Sequence, residues 1–224
     1  MCEICGRYMN FVHSVDVIDL MLRGLIIGII ASAPMGPIGI LVVQRTLKKG
    51  RIYGYATGVG AAVSDIVYAI ITGLGMGLVP TIEKPSTMFY LRLAGSVMLF
   101  FFGLWMYNSK PATPHTPSGK LGTITHNGVT GFLLTLSNPL IVFLFVALFA
   151  RFNFVVPNHL WEQALGYAAI FVGSLLWWAC LTSALRTMKD RLSMEMINLF
   201  NRLLGALVMA VSGIGFVLTV IGKL

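Results

Sequence analysis

An internal repeat inside an apolar chain is the feature that most narrows the folds open to this sequence. Residues 92–103 begin with Arg-Leu-x-Gly and end with glycine, and residues 202–213 repeat this pattern 110 positions later. Each copy lies at the start of an apolar stretch. If the repeat unit contains an odd number of membrane spans, its two copies lie in opposite orientations. Many transporters have this plan, with the substrate site where the two halves meet.

The composition indicates a membrane protein rather than a soluble domain. Hydrophobic residues make up 57% of the chain, charged residues make up 11%, and the mean hydropathy is +0.84, whereas soluble domains carry roughly 25% charged residues. A spanning helix needs about 20 mostly apolar residues. We therefore expect an all-α integral membrane protein without a sizeable soluble domain, with about six transmembrane helices at residues 20–43, 55–79, 88–107, 129–150, 164–185 and 203–222.

Further matches between the halves predict two three-helix inverted repeats. Residues 54–56 and 166–168 are both Gly-Tyr-Ala, and in each half ten residues separate a glycine in the first span from a helix break. A stretch rich in Pro and Thr separates the halves and is typical of a linker. The predicted organisation is an N-terminal tail (1–19), a first repeat (20–108), a linker loop (109–127) and a second repeat (128–224).

The net charge of +8 does not indicate nucleic-acid binding, because the basic residues lie in short loops between spans. The loops after the first, third and fifth spans hold ten Lys and Arg residues, against six on the opposite side. Cytoplasmic loops carry the excess of positive charge in membrane proteins. This distribution places both termini outside, with Gln44 and Arg45 solvated at the cytoplasmic end of the first span.

The N-terminus and the remaining polar residues predict no catalytic site and no cofactor. Residues 1–19 contain no clear signal peptide. Cys2 and Cys5 form a Cys-x-x-Cys pair, which we interpret as part of an unordered tail, or of an extension ahead of a start at Met9 or Met21, rather than as a redox or metal motif. The four histidines lie in tails and loops, so the sequence predicts no metal site in the membrane.

Two proline breaks occupy matching positions in the two halves. The first span contains Pro34, Gly36 and Pro37, and the fourth contains Asn138 and Pro139. Proline cannot donate a backbone hydrogen bond and clashes with the carbonyl four residues before it. An unsatisfied carbonyl in lipid costs several kcal/mol, so these segments must face protein, water or a ligand. Paired breaks are the sequence signal of a transport site, although a pair of packing kinks remains the structural alternative.

Asp65 is the carboxylate that lies well inside a predicted span. Such residues are costly in the membrane and tend to be functional. Tyr68 lies one turn further along the same face, and small residues there allow close helix packing. We predict that Asp65 binds a cationic group or a proton, with a structural ion pair as the alternative. Trp177, with Trp178 beside it, is a further candidate for the transport path, and packing or an interface anchor is the alternative.

These residues, taken in order, resemble the lysine-exporter (LysE/RhtB) family. The sequence Pro34-Met35-Gly36-Pro37 is similar to the family's Pro-Gly-Pro signature, with Met35 where the family has its first proline. Leu140 stands where the family often has lysine, which removes a basic group near the site. The resemblance covers residues 20–222 and extends through Gly50-Arg51, Gly54, Gly58, Gly60, Asp65, Asn138-Pro139, Trp177 and Asn201-Arg202-x2-Gly205.

The resemblance implies a secondary transporter that exports amino acids or related small metabolites across the bacterial inner membrane by proton or ion exchange. The implied partners are a small-molecule substrate and the lipid bilayer, with a homo-oligomer left open by the small-residue helix faces. A cation or metal-ion exporter of the same plan is the alternative function. A membrane thiol-disulfide carrier is disfavoured, because Cys180 is the lone cysteine in the predicted spans and such chemistry needs cysteine pairs.

Overall fold

The computed structural model describes residues 3–34, 36–78, 85–108, 122–138, 140–156, 159–187 and 194–222. Regular structure within these ranges is α-helical throughout. The helices of these ranges are α1 (Glu3–Ser32), α2 (Pro37–Lys49), α3 (Arg51–Gly77), α4 (Pro85–Asn108), α5 (Ile124–Leu136), α6 (Leu140–Phe152), α7 (Leu160–Thr187) and α8 (Met194–Val220).

Four of these helices are long and apolar enough to cross a membrane unaided. They are α3 and the segments Phe89–Asn108 of α4, Leu160–Arg186 of α7 and Asn198–Val220 of α8. Two further spans arise if each bent helix pair counts as one. Residues Val17–Ser32 meet α2 at 79°, and α5 meets α6 at 74°. Many large apolar side chains, such as Leu74, Phe101 and Ile214, point outwards, as lipid-facing residues do. The predicted all-α membrane fold is confirmed.

Local sequence explains where the short helices begin and end. α2 begins with Pro37, whose missing N–H is no loss at the first helical position. Gly50, with φ of +108°, separates α2 from α3 in a conformation that side chains disfavour. At the start of α5, the Thr123 side chain accepts a hydrogen bond from the His126 N–H at 3.3 Å, a standard N-terminal cap.

The helix limits differ in places from the predicted segments. α1 begins at Glu3 and runs through residues predicted as a tail. α5 begins at Ile124, inside the predicted linker, and residues 109–121 of that linker lie outside the described residues. Cys2 of the Cys-x-x-Cys pair also lies outside them.

Close contacts through glycine join the two halves of the chain. A Cβ on Gly103 of α4 would lie 2.9 Å from the carbonyl oxygen of Gly205 of α8, and one on Gly205 would lie 2.7 Å from that of Gly103. α1 likewise packs on α7 through Gly28, and α5 packs on α3 through Gly131. These backbones touch because no side chain separates them.

Two clusters of buried apolar side chains frame the middle of α3. One contains Tyr68 and Ala69 with the aromatic residues of α6, and the other contains Ala61 and Ala62 with Trp178. Asp65 therefore occupies the stretch of α3 between two apolar clusters, in the interior of the molecule.

Candidate functional site

Asp65 is buried and has one hydrogen-bond donor. Its carboxylate is 4% exposed and accepts a hydrogen bond at 3.1 Å from the Ser32 hydroxyl, at the end of α1. The ion pairs recorded among the described side chains join Arg23 to Asp19 and His159 to Glu162, so neither involves Asp65. A buried carboxylate without a basic partner is costly, and this cost explains why such groups mark sites that bind a cation or a proton.

The Asp65 carboxylate lines a cavity of about 90 Å³ where both helix breaks meet. The end of α1 and the start of α2 form one part of the wall, and the end of α5 and the start of α6 form another. Side chains from α4 and α7 complete it, among them Phe102, Trp105 and Trp178. The two breaks that the sequence separates by about a hundred residues thus face the same space.

Two further polar groups in the wall are buried and have no hydrogen-bond partner among the described residues. They are the Thr135 hydroxyl and the Trp178 indole N–H, both in residues under 5% exposed. An unmet buried donor or acceptor costs about 1–3 kcal/mol. Together with Asp65 they offer hydrogen bonds that a polar ligand or water could complete.

The first break leaves a helix N-terminus open to this cavity. Gly36 is the N-cap of α2 and provides no side-chain hydrogen bond. The first helical bond runs from the Ile40 N–H to the Gly36 carbonyl at 3.1 Å, which leaves the preceding N–H groups of the first turn outside the helix ladder. Because Gly36, Pro37 and Ile38 line the cavity, the positive end of the α2 dipole faces it.

The second break is satisfied by the protein itself. The Asn138 side-chain oxygen accepts a hydrogen bond from the Leu140 N–H at 3.2 Å and caps α6. The Tyr68 hydroxyl donates to the Leu136 carbonyl at 2.5 Å, at the last residue of α5. Tyr68 therefore acts on the end of a helix rather than in the cavity wall.

The structure brings together most of the predicted site residues. Pro34, Gly36, Pro37, Asp65 and Asn138 line the cavity, and Pro139 lies outside the described residues. Trp177 is not among the lining residues; its ring stacks on Phe200 with 5.9 Å between centroids.

Ser32 and Thr135 were not predicted as site residues, whereas Trp178 was a candidate beside Trp177. The two hydroxyl residues lie within three positions of a break, and this proximity is a signal that could have found them. Trp178 has room in the wall because Gly58 lacks a side chain: a Cβ on Gly58 would lie 2.5 Å from the Trp178 ring.

Two arginine side chains hydrogen-bond to segments distant in the sequence. Arg45 of α2 donates to the Thr57 hydroxyl at 2.8 Å and to the Asn127 carbonyl of α5 at 3.0 Å. Arg23 of α1 donates to the Phe152 carbonyl at the end of α6 at 2.8 Å. Arg45 was expected to be solvated; it is partly buried, and its guanidinium binds α3 and α5.

Comparisons with known proteins agree with these features. The chain matches the LysE type translocator family over residues 29–220. It is 23% identical over 184 residues to the Bacillus subtilis (strain 168) protein named "Putative amino acid efflux protein YcgF", covering 80% of this chain and 87% of that protein. It is 29% identical over 175 residues to the Escherichia coli (strain K12) protein named "Uncharacterized membrane protein YahN", covering 75% and 76%. No solved structure matches the chain significantly.

Proposed function

The chain belongs to the LysE type translocator family and is a transporter, and from this membership we propose that it exports amino acids or related small metabolites by exchange with protons. The observation that carries the proposal is the buried Asp65 carboxylate, without a basic partner among the described residues, in a cavity between two broken helices. The name of the Bacillus subtilis relative, an amino acid efflux protein, supports the same substrate class.

The two charges of an amino acid correspond to two features of the cavity. The open N-terminus of α2 offers backbone N–H groups and a positive dipole end, which suit a carboxylate. On α3, Asp65 offers a negative charge to the ammonium group, and the Thr135 hydroxyl lies in the same wall. A zwitterion bound in this way leaves no uncompensated charge in the membrane interior.

Asp65 serves as the exchange point between substrate and proton in this mechanism. When the ammonium group leaves, the carboxylate takes up a proton instead of remaining charged and buried. The proton is then released when the next substrate binds. Export of one amino acid is thereby coupled to entry of one proton.

Alternating access would come from rocking of residues 1–108 against 128–224. The tightest helix pairs, α1 with α7 and α3 with α5, cross the predicted repeat boundary, so this rocking would have to slide helices along these glycine contacts. Inverted repeats of this kind allow each half to adopt the other's conformation. The proposal places the protein in the bacterial inner membrane with both termini outside, and a homo-oligomer is compatible with it.

The first test is amino-acid efflux from cells loaded with dipeptides. Native protein, Asp65→Asn and an empty vector are compared over the whole amino-acid panel. Glu162→Gln is the matched control, because Glu162 lies at the start of α7, outside the cavity wall. We expect faster release of one or a few amino acids, lost in Asp65→Asn and kept in Glu162→Gln at equal membrane protein levels.

Normal export by Asp65→Asn across the full pH range would overturn the mechanism. If native protein speeds release of no amino acid, the substrate class is wrong, and cation tolerance becomes the next assay. In the described residues no group of three His, Cys, Asp or Glu side chains is placed to hold a metal ion, so amino-acid export is the better-supported function.

A further inference from the structure

A second cavity, of about 920 Å³, lies at the turn between α2 and α3. Its wall consists of the end of α2, Gly50, the start of α3, and Arg186 in the last turn of α7. The candidate membrane span of α3 begins at Arg51, and that of α7 ends at Arg186. The cavity therefore lies where spanning helices end, which is the level of the lipid headgroups.

The charged side chains among the described lining residues of this cavity are all basic. They are Lys48, Lys49, Arg51 and Arg186. Lys49 is engaged within the protein, because its ammonium group donates to the Gly122 carbonyl at 2.6 Å. The other three are exposed, and the ion pairs recorded among the described side chains involve none of them. Three cations thus line one concave surface that contains no described carboxylate.

Arg51 occupies a position where a cation is unfavourable unless an anion lies beside it. It is the first residue of α3, whose first turn contains no acidic residue and whose N-cap, Gly50, provides no side-chain hydrogen bond. The Tyr53 N–H bonds to the Gly50 carbonyl at 3.2 Å, so the N–H groups of Arg51 and Ile52 lie outside the helix ladder. A helix N-terminus carries partial positive charge, which repels a cation and attracts an anion.

The helix dipole explains the other two cations but not Arg51. Lys48 and Arg186 lie in the last turns of α2 and α7, where the negative end of the dipole favours a positive charge. Arg51 lies at the opposite end of its helix and faces the same cavity. An anion in the cavity would bind its guanidinium and the N-terminus of α3 together, which removes the unfavourable pairing.

The surroundings of the cavity favour a lipid headgroup over a soluble anion. Guanidinium groups bind phosphate oxygens in a bidentate manner, and basic pockets between membrane helices suit anionic headgroups. Ile52 lines the cavity and is 59% exposed, so apolar outer surface of the kind that faces lipid reaches the edge of the basic wall. A molecule with a phosphate group and acyl chains matches both parts.

We propose that this cavity binds the phosphate headgroup of an anionic membrane lipid, with Arg51 and Arg186 as its main contacts and Lys48 beside them. The acyl chains of the lipid lie along the apolar surface at Ile52. In the predicted orientation, this end of the molecule faces the cytoplasm. The site shares no lining residue with the Asp65 cavity, so this inference is independent of what the protein exports.

The experiment follows the melting temperature of the purified full chain in neutral detergent during titration with three probes. Phosphatidylglycerol carries the anionic headgroup, phosphatidylcholine has the same acyl chains without net charge, and inorganic phosphate has the anion without the chains. We expect phosphatidylglycerol to raise the melting temperature and the other two to leave it unchanged. The effect should weaken as salt is added, because salt screens interactions of exposed charges.

A charge-removing variant tests the cavity itself. Arg51→Gln combined with Arg186→Gln should weaken the apparent affinity for phosphatidylglycerol about tenfold or more. Arg202→Gln is the matched control, because Arg202 is an exposed cation on the same predicted side and does not line the cavity. Its affinity should equal that of native protein. If the double variant does not fold, Arg51→Gln by itself provides the same comparison.

Each alternative occupant gives a different result. An equal rise with phosphatidylcholine would show that acyl chains suffice, and an equal rise with inorganic phosphate would assign the cavity to a soluble anion; either result overturns the proposal. The absence of any rise with phosphatidylglycerol would also overturn it. So would equal weakening in Arg202→Gln, because overall charge rather than this cavity would then determine binding.

Discussion

The two helix breaks of this transporter differ in what completes their hydrogen bonds. At the first, α2 begins at a glycine cap without a side-chain acceptor, and the Ser32 hydroxyl is directed to Asp65. At the second, Asn138 caps α6 and Tyr68 binds the end of α5. The comparison teaches that two breaks of similar sequence can differ in their caps: the α2 N-terminus has no side-chain cap, whereas the ends of α5 and α6 at the second break are bound by Tyr68 and Asn138.

The residues that cap the two helices account for much of this contrast. The N-cap of α2 is Gly36, which has no side chain, whereas the Asn138 side-chain oxygen accepts a hydrogen bond from the Leu140 N–H in the first turn of α6. The first break thus lacks a side-chain cap because of its sequence.

The largest expected effect comes from removing the charge at the open break. Asp65→Asn should reduce export about a hundredfold or more, since loss of one partner of a buried charge pair costs about 3–5 kcal/mol. The thermal stability of the purified protein should change little, because the amide can still accept the Ser32 hydrogen bond. Efflux rate and melting temperature, measured on the same preparation, check both statements.

A large loss of stability together with the loss of export would contradict the assignment of Asp65 to the ligand. It would instead identify the carboxylate as a structural group of α3.

The next effect concerns the tryptophan that completes the cavity wall. Gly58→Ala places a Cβ against the Trp178 ring, and overpacking of this kind costs about 1–3 kcal/mol. We expect a lower melting temperature and slower export. Gly75→Ala on the same helix is the control, because its Cβ meets nothing within 4 Å. If both variants behave alike, Trp178 does not depend on Gly58 for its position.

At the second break, the predicted substitution lowers the stability of the protein more than its export rate. Tyr68→Phe removes the hydrogen bond to the Leu136 carbonyl, for which we expect a loss of about 1 kcal/mol, read as a lower melting temperature in detergent. Export should stay within a few-fold of native. A collapse of export at unchanged stability would mean that the Tyr68 hydroxyl takes part in transport rather than only binding the end of α5, and the contrast between the breaks would fail.

The smallest expected effect belongs to the hydroxyl beside the carboxylate. Ser32→Ala removes the 3.1 Å hydrogen bond to Asp65, worth about 1 kcal/mol. We expect the substrate concentration at half-maximal export to change several-fold while the maximal rate is largely kept. Concentration series for native protein, Ser32→Ala and Ser32→Thr check this, with the threonine variant expected to restore native behaviour.

The sequence alone predicted the helical membrane fold and much of the candidate site, because these depend on local rules. Apolar length predicts spans, proline predicts breaks, and a carboxylate within a span indicates a buried polar group. These rules found the cavity-lining residues Pro34, Asp65 and Asn138 without the structure.

What the sequence could not supply depends on helix rotation and on packing between distant segments. Neighbouring residues on a helix point about 100° apart. The rotation of α7, which packs on α1 and α3, therefore determines that Trp178 rather than Trp177 lines the cavity. Ser32 and Thr135 were missed because hydroxyl residues are frequent in membrane helices, where they bind their own backbone. The hydrogen bond of Arg45 to α5 was not predicted because nothing local indicates that α5 comes near α2.

The two arginine contacts have a consequence for how the amino-acid sequence can diverge. The contact of Arg45 with α5 and that of Arg23 with the end of α6 both use backbone carbonyl oxygens as acceptors. A carbonyl is present whichever side chain occupies the position. These contacts therefore do not require a particular side chain at the accepting residues, Asn127 and Phe152, whose side chains are constrained by packing alone.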